Sequence, residues 1–269
     1  MAGRENFSEK MLAYFPSEKE AIKSYIDLIS RVNAGAKGFF AEKLIPKCFH
    51  FLTKNFLSSF FRRFARLSTK EVLDHLTDDK KLKAVLAAQY GDYGVVPSKS
   101  SFAIQAMVAK HYLDGGNYPI GGSSQIAATI IPKIEKSGGK VLVKAEVAEI
   151  LVEKNQAVGV KMAKGEEFRA PIVISDAGVL NTYGHLLSAT TRERFLVAHH
   201  LREIKPSLSH VGLYIGLKKT AEELGLTGTN LWIYPDYDHD ESMARYEKDP
   251  HAPFPVVYIS FPSAKDPTF

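Results

Sequence analysis

Between Glu18 and about Asp114 the apolar residues recur mostly three and four positions apart, as in Ile22, Tyr25, Ile26 and Ile29, or Val72, Leu73 and Leu76, then Leu82, Val85 and Leu86. That period predicts short amphipathic helices. Breaks are expected at Pro16, Gly35 to Gly38, Pro46, Gly91 to Pro97 and Gly115 to Pro119, with Ser68 or Thr69 and Thr77 as N-caps. Beyond Pro119 a helix is predicted over 124–137, stopped by Gly138 and Gly139, and the period then changes. Val141, Val143, Ala145 and Val147 alternate with Leu142, Lys144, Glu146 and Ala148, which is the pattern of a strand. Further strands are expected over 158–162, 168–175, 208–218, 231–234 and 255–261, with helices over 180–187, 191–201 and 241–248.

Helices first, then alternating elements, then a strand-rich segment predict a mixed α/β chain in two spatial domains with a boundary near Gly115. The length of 269 residues suffices for one large or two modest domains, and 45% hydrophobic with 24% charged residues is a globular rather than a disordered composition. Cys48 is the one cysteine, so an internal disulfide, a C-x-x-C redox pair and a cysteine-based zinc site are all excluded. The opening MAGRENFSEK lacks the apolar core of a signal peptide. The longest uncharged stretch, Gly115 to Pro132, is too rich in Gly, Ser, Asn and Gln to form a membrane-spanning helix.

The net charge of +5 is concentrated in one place. From Lys37 to Leu67 seven Lys and Arg face the single acid Glu42, leaving the remainder of the chain near neutral at −1. Eight phenylalanines fall in the same stretch: Phe39, Phe40, Phe49, Phe51, Phe56, Phe60, Phe61 and Phe64. Three readings are open. The stretch could lie on an anionic membrane surface, line an apolar substrate site, or form helix cores with solvated basic faces. A nucleic-acid partner is not expected, because no recognised reading module accompanies the charge.

Several chemistries are excluded by spacing. Asp236, Asp238, Asp240 and Glu247 occupy calcium-loop positions, but Glu241 stands where the sharp turn requires Gly, so the segment reads as an acidic helix start. The histidines form no H-E-x-x-H, and the adjacent His199 and His200 would point about 100° apart on a helix, so no metal site is expected. There is no G-x-S-x-G elbow, and Ser137 to Lys140 meets S-x-x-K only through a Gly-Gly turn. Nor does any G-x-G-x-x-G join a strand to a helix, so the first pyrophosphate-binding turn of a dinucleotide domain is missing.

Two glycine-punctuated turns remain as candidate sites. Gly121, Gly122 and Ser123 sit where a loop becomes a helix, so free N–H groups could meet an anion or a polarised ring; plain helix entry explains them too. Ser175, Asp176, Ala177 and Gly178 follow a predicted strand, where small residues let a ligand approach the backbone; a simple strand-to-helix turn is the alternative.

The segments YPIGGSSQIA, SDAGVLNTYGHLL and ISFPSAKDPT closely resemble the retinol saturases, the all-trans-retinol 13,14-reductases of the phytoene desaturase and carotenoid isomerase superfamily. The likeness runs from about Phe15 to Phe269, with three separated motifs in the same order and spacing. It implies the central part of an FAD-binding Rossmann-like domain plus a helical and strand-rich substrate domain: residues 1–115 as a helical cap, 116–188 as the central FAD-binding part and 189–269 as a truncated substrate-domain sheet. It also implies FAD as cofactor with NAD(P)H as an electron source, a hydrophobic isoprenoid substrate, and peripheral residence at the endoplasmic reticulum membrane. Val147 would offer its main chain to the adenine, with Ser175 to Gly178 and the Gly121–Gly122 turn as further contacts. Asp176 departs from the Asn usual in that family, and its charge would disfavour a pyrophosphate beside it. The implied activity is saturation of a double bond in all-trans-retinol. Carotenoid desaturation or isomerisation, or a non-catalytic lipid- or membrane-binding remnant, are the competing readings. No catalytic side chain is assigned; Tyr118 is a proton-donor candidate by its nearness to the glycine turn.

Overall fold

A computed structural model describes residues 3–44, 58–204 and 209–268 and is a mixture of helices and small sheets. Pro46, Cys48, Phe49, Phe51 and Phe56, which figure in the sequence reading, lie outside the described residues, as does Leu208. The chain divides into two compact units, one of Met1–Gln125 with Leu208–Phe269 and one of Ile126–Ser207.

The first unit begins with α1 (Arg4–Tyr14) and the long α2 (Lys19–Glu42), followed by α3 (Ser59–Arg66), α4 (Thr69–Leu76), α5 (Lys80–Ala87) and α6 (Phe102–Leu113). Helix α2 buries Ile22, Tyr25, Ile26, Ile29, Val32 and Ala36, the stripe its periodicity predicts, and the other helices close over it with Phe61, Phe64, Val72, Leu73, Leu82, Leu86 and Phe102. Ala103, Ala106 and Ala109 are buried on α6 as well, where small side chains permit close helix packing. The expected break at Gly35 to Gly38 does not occur, because α2 runs through both glycines. A Cβ on Gly35 would stand 3.3 Å from the Phe61 Cβ, so this glycine serves the approach of α3 rather than a turn.

Capping follows the predicted chemistry at one site and shifts at another. Ser68 and Glu71 form a reciprocal capping box at the start of α4. Thr77 is not the cap of α5. Asp79 accepts from the Lys81 and Leu82 amides instead, and the Thr77 hydroxyl donates to Glu18 at 2.6 Å. Where the basic, aromatic stretch is described, Phe61 and Phe64 are buried, Phe39 and Phe60 pack against the core and Phe40 stays exposed, while Arg31, Lys43, Arg62 and Arg63 stack on Phe60, Phe39, Phe39 and Phe64. Arg62 also holds the buried Glu42 at 2.9 and 3.0 Å, with Ser58 donating to the same carboxylate at 2.7 Å.

In the second unit, α7 (Ser124–Lys136, of which residues 126–136 belong here) leads to an antiparallel meander of β1 (Val147–Glu153), β2 (Gln156–Met162) and β3 (Glu167–Arg169), then α8 (Val179–Gly184), α9 (Ala189–Arg194) and α10 (Val197–Leu201). The predicted strand over 141–148 forms only from Val147 onward, because Lys144 adopts φ 54°, a left-handed conformation that interrupts an extended run. The strand expected over 168–175 stops at Arg169, two residues before Pro171, which has no N–H to continue a ladder. The helix predicted over 191–201 is split by Leu196 at φ 50°.

Back in the first unit, the expected strand over 208–218 lies outside every described strand, although β4 (Leu231–Ile233) and β5 (Val257–Ile259) pair antiparallel around α11 (His239–Lys248). Asp238 caps α11 by accepting from the Glu241 amide at 2.9 Å, so the acidic run is a helix start as its sequence suggests. These elements pack on the helices within the same unit. Trp232 sits against Gly91, where a Cβ would fall 2.4 Å from the indole, and His239 meets the Ala84 carbonyl at 2.9 Å. Among the described residues no helix is long and apolar enough to cross a membrane.

Replacing Phe102 by Ala would remove a ring that touches both Tyr25 and Phe64 in the helical core. Urea denaturation should register a loss of about 3–5 kcal/mol; a loss below about 1 kcal/mol would show that this core does not carry the stability of the unit.

Candidate functional site

The turn Tyr118-Pro119-Ile120-Gly121-Gly122 requires φ 83° at Gly121 and 81° at Gly122, which only glycine adopts freely. The Gly122 amide closes the turn onto the Pro119 carbonyl at 3.0 Å. The Gly121 amide points elsewhere and donates to the Asp266 carboxylate at 2.9 Å. Two of the three family-like motifs, 145 residues apart, therefore meet through one hydrogen bond.

Beyond β5, Ser260 and Phe261 lead into a short 3-10 turn over Pro262–Ala264, which presents Lys265 and Asp266 side by side. Asp266 is buried at 9% exposure and accepts from the Thr268 hydroxyl at 2.7 Å and the Thr268 amide at 3.0 Å as well as from Gly121. Those Thr268 bonds first, then the Gly121 and Gly122 amides, hold its carboxyl below the usual range. Lys265 donates to Ser260 at 2.7 Å and to Asn230, and its Nζ lies 5.7 Å from the centre of the Tyr118 ring. Burial pushes the Lys265 ammonium down from its ordinary pKa. The site thus brings together a partly buried cation, an aromatic face and a fixed carboxylate, a combination able to position a polar group.

Of the residues singled out from the sequence, Tyr118, Gly121 and Gly122 belong to this site. Lys265 and Asp266 were not singled out, although both lie in ISFPSAKDPT; a Lys-Asp pair in a loop carries no periodic signal of its own.

The other candidates lie in the second unit. Val147 opens β1 opposite Met162 and is half-buried, with an irregularity in the ladder just after it. Ser175, Asp176, Ala177 and Gly178 are all exposed, and Gly178 begins α8 at φ 83°. The Ser175 hydroxyl shares a 2.6 Å hydrogen bond with that of Thr182, and Asn181 donates to the Ala177 carbonyl at 2.9 Å, which fixes the turn from behind. A Cβ at Gly178 would meet nothing within 4 Å, so the backbone there stands open to an incoming group.

No family model matches the chain. Over its whole length it is 37% identical to an all-trans-retinol 13,14-reductase of Danio rerio and 38% identical to one of Homo sapiens, in each case covering 46% of that protein. It is also 32% identical over 278 residues to an inactive all-trans-retinol 13,14-reductase of Danio rerio, again 46% of that chain. Weaker similarities reach a phytoene desaturase and prolycopene isomerases. The chain spans about half the length of the curated relatives it matches.

Because the folded-state pKa of Asp266 is lowered, its contribution to stability is complete above the unfolded value of about 4 and is lost as pH falls through the folded value. Asp266→Asn should therefore lower the melting temperature at pH 7, and the gap from the parent should narrow steadily below pH about 4. Equal gaps at pH 7 and pH 3 would mean that the charge on this carboxylate does not hold the turn.

Proposed function

The chain is homologous over its whole length to the all-trans-retinol 13,14-reductases, and on that premise we propose that the protein to which it belongs is an FAD-dependent oxidoreductase that saturates one double bond of all-trans-retinol. The observation that carries this reading is the identity of 37–38% along the whole of this chain, coupled with the union of the two motifs through Gly121 and Asp266. Within it, residues 126–207 form part of a Rossmann-like cofactor domain. Val147 and the Ser175–Gly178 turn are the flavin-facing backbone, a role supported by the open space at Gly178 and the exposure of its neighbours. The Gly121 amide already serves Asp266, which favours a role in shaping the substrate side of the site over cradling a phosphate.

FAD, when bound and reduced, supplies the hydride. The chain's task is then to orient the polyene, exclude water and deliver a proton to the second carbon, so that one π bond gives way to two C–H bonds. Lys265 is the proton donor in this scheme. Its lowered pKa eases release from Nζ, Ser260 and Asn230 fix its direction, and Tyr118 offers a face on which a conjugated chain can lie. The neutral amine left behind regains its proton from water. NAD(P)H as electron source and a peripheral position on the endoplasmic reticulum membrane complete the proposal; both come from the resemblance.

The test uses the complete polypeptide that contains this sequence. Purified with bound flavin, it should convert all-trans-retinol to a 13,14-dihydro product under reducing conditions, and Lys265→Met should lower kcat by about 10²-fold or more while leaving flavin content unchanged. Protein that takes up no flavin and yields no reduced retinol would favour the competing reading of a non-catalytic lipid-binding protein, in line with the inactive relative.

A further inference from the structure

Helices α2, α3 and α4 enclose a cleft of about 720 Å³ in the first unit. Its apolar wall is made by Leu28, Phe64, Leu67, Val72 and Leu76. Five polar or charged side chains line the same cleft besides Ser59, and three of them are committed. Arg62 is locked onto Glu42, Glu71 is held by the amide and hydroxyl of Ser68 at 2.7 and 2.8 Å, and His75 places Nδ1 2.7 Å from the Glu71 carbonyl. The other two are Arg63 and Arg66. Both are exposed, they stand three residues apart on α3, and neither has a carboxylate partner among the described residues; Arg63 only stacks on Phe64, at 5.6 Å.

An apolar trough beside two uncommitted guanidinium groups has a definite chemical complement. We infer that this cleft binds an anionic amphiphile, with an aliphatic chain along Phe64, Leu67, Val72 and Leu76 and a carboxylate or phosphate head gripped by Arg63 and Arg66. Guanidinium forks suit planar, bidentate oxyanions, and nothing in such a cleft calls for a neutral alcohol such as retinol to meet two cations. The site is thus separate from the one around Tyr118 and Lys265, and it does not depend on the proposed reductase activity. A free fatty acid and an anionic phospholipid share this chemistry, and experiment can tell them apart.

The probes are oleate below its micellar concentration, oleyl alcohol, and vesicles of phosphatidylcholine with or without phosphatidylserine. Calorimetric titration of the 269-residue chain with oleate should show saturable binding that weakens at high salt, with oleyl alcohol at least tenfold weaker. The double variant R63Q/R66Q should lose tenfold or more in affinity, as expected for two charge-assisted contacts. L76W, which fills the trough and leaves the arginines in place, should weaken binding as well. Both variants must keep the parent's circular dichroism melt for the comparison to count, and R63A serves as a gentler second variant where they do not. Binding of oleate alone identifies a free acid as the ligand, and co-sedimentation with phosphatidylserine vesicles that R63Q/R66Q abolishes identifies a lipid headgroup. Absence of both, equal affinity for the alcohol, or affinity that neither variant changes would overturn the inference.

Discussion

The apolar stripe of α2 is the constraint on which the first unit depends. Its spacing of three and four puts Ile22, Tyr25, Ile26, Ile29 and Val32 on one face, and a core forms only when other helices cover that face. Gly35 lets α3 come within contact distance, and Phe102 on α6 joins Tyr25 and Phe64. Inside this shell the buried Gln105 satisfies its amide by donating to the Leu86 carbonyl at 2.7 Å and accepting from Tyr93 at 2.7 Å. The helical scaffold then offers fixed docking points to a segment more than a hundred residues later. The Ala84 carbonyl takes His239, the Ala88 carbonyl takes Tyr234, and bare Gly91 leaves room for the Trp232 indole. Through these contacts a packing constraint set near residue 22 is carried to β4 and β5, and so to Lys265 and Asp266.

Electrostatics at that end of the unit follow from burial with selective repair. Asp266 keeps its charge because it accepts three hydrogen bonds, two from Thr268 and one from the Gly121 amide, with the Gly122 amide adding to the effect. Lys265 receives only hydroxyl and amide oxygens, with no carboxylate partner among the described residues, so its ammonium is the less comfortable of the two. Adjacent residues in one turn are thereby shifted in the same direction for different reasons: hydrogen bonds hold the Asp266 carboxyl below its ordinary range, and partial burial holds the Lys265 ammonium below its own. Elsewhere in the unit burial raises the Tyr90 phenol, packed against Tyr234 and His239, to about 12.

Helices were legible in the sequence because a helix closes its hydrogen bonds within itself, so its apolar period survives whatever it packs against. Strands depend on a neighbour. The alternating residues of 141–146 and 209–217 have the right period, yet the backbone at Lys144 turns left-handed and the later stretch carries Gly212 and Gly216 with no ladder beside it. Where a partner exists a few residues away, across the turn at Lys154 and Asn155, β1 runs on to Glu153 and β2 starts as early as Gln156, each beyond the limit its pattern alone foretold. The site was half legible for the same reason. Glycines in a turn announce a backbone need, whereas the carboxylate that meets them lies 145 residues on and shows no local signature.

Exposure separates the two units further. Among the described residues of 126–207 the buried apolar ones are Ile150, Met162 and Val197, while Ile126, Ile130 and Ile134 run along one face of α7 at 58, 52 and 37% exposure, and Ile172 and Ile174 reach 74 and 91%. Fully burying a side chain of this kind stabilises by about 1.5–3 kcal/mol, so the surface these five isoleucines leave in water is equivalent to roughly one to three core substitutions. The helical unit has already gained that energy through α2. The second unit has not, and one of its candidate cofactor contacts, the Ser175–Gly178 turn, directly follows the exposed Ile172 and Ile174 in the chain. In relatives about twice as long, additional chain is available to cover such faces. A cofactor crevice that is completed only when such a layer is in place would give flavin binding and folding of this unit a common driving force.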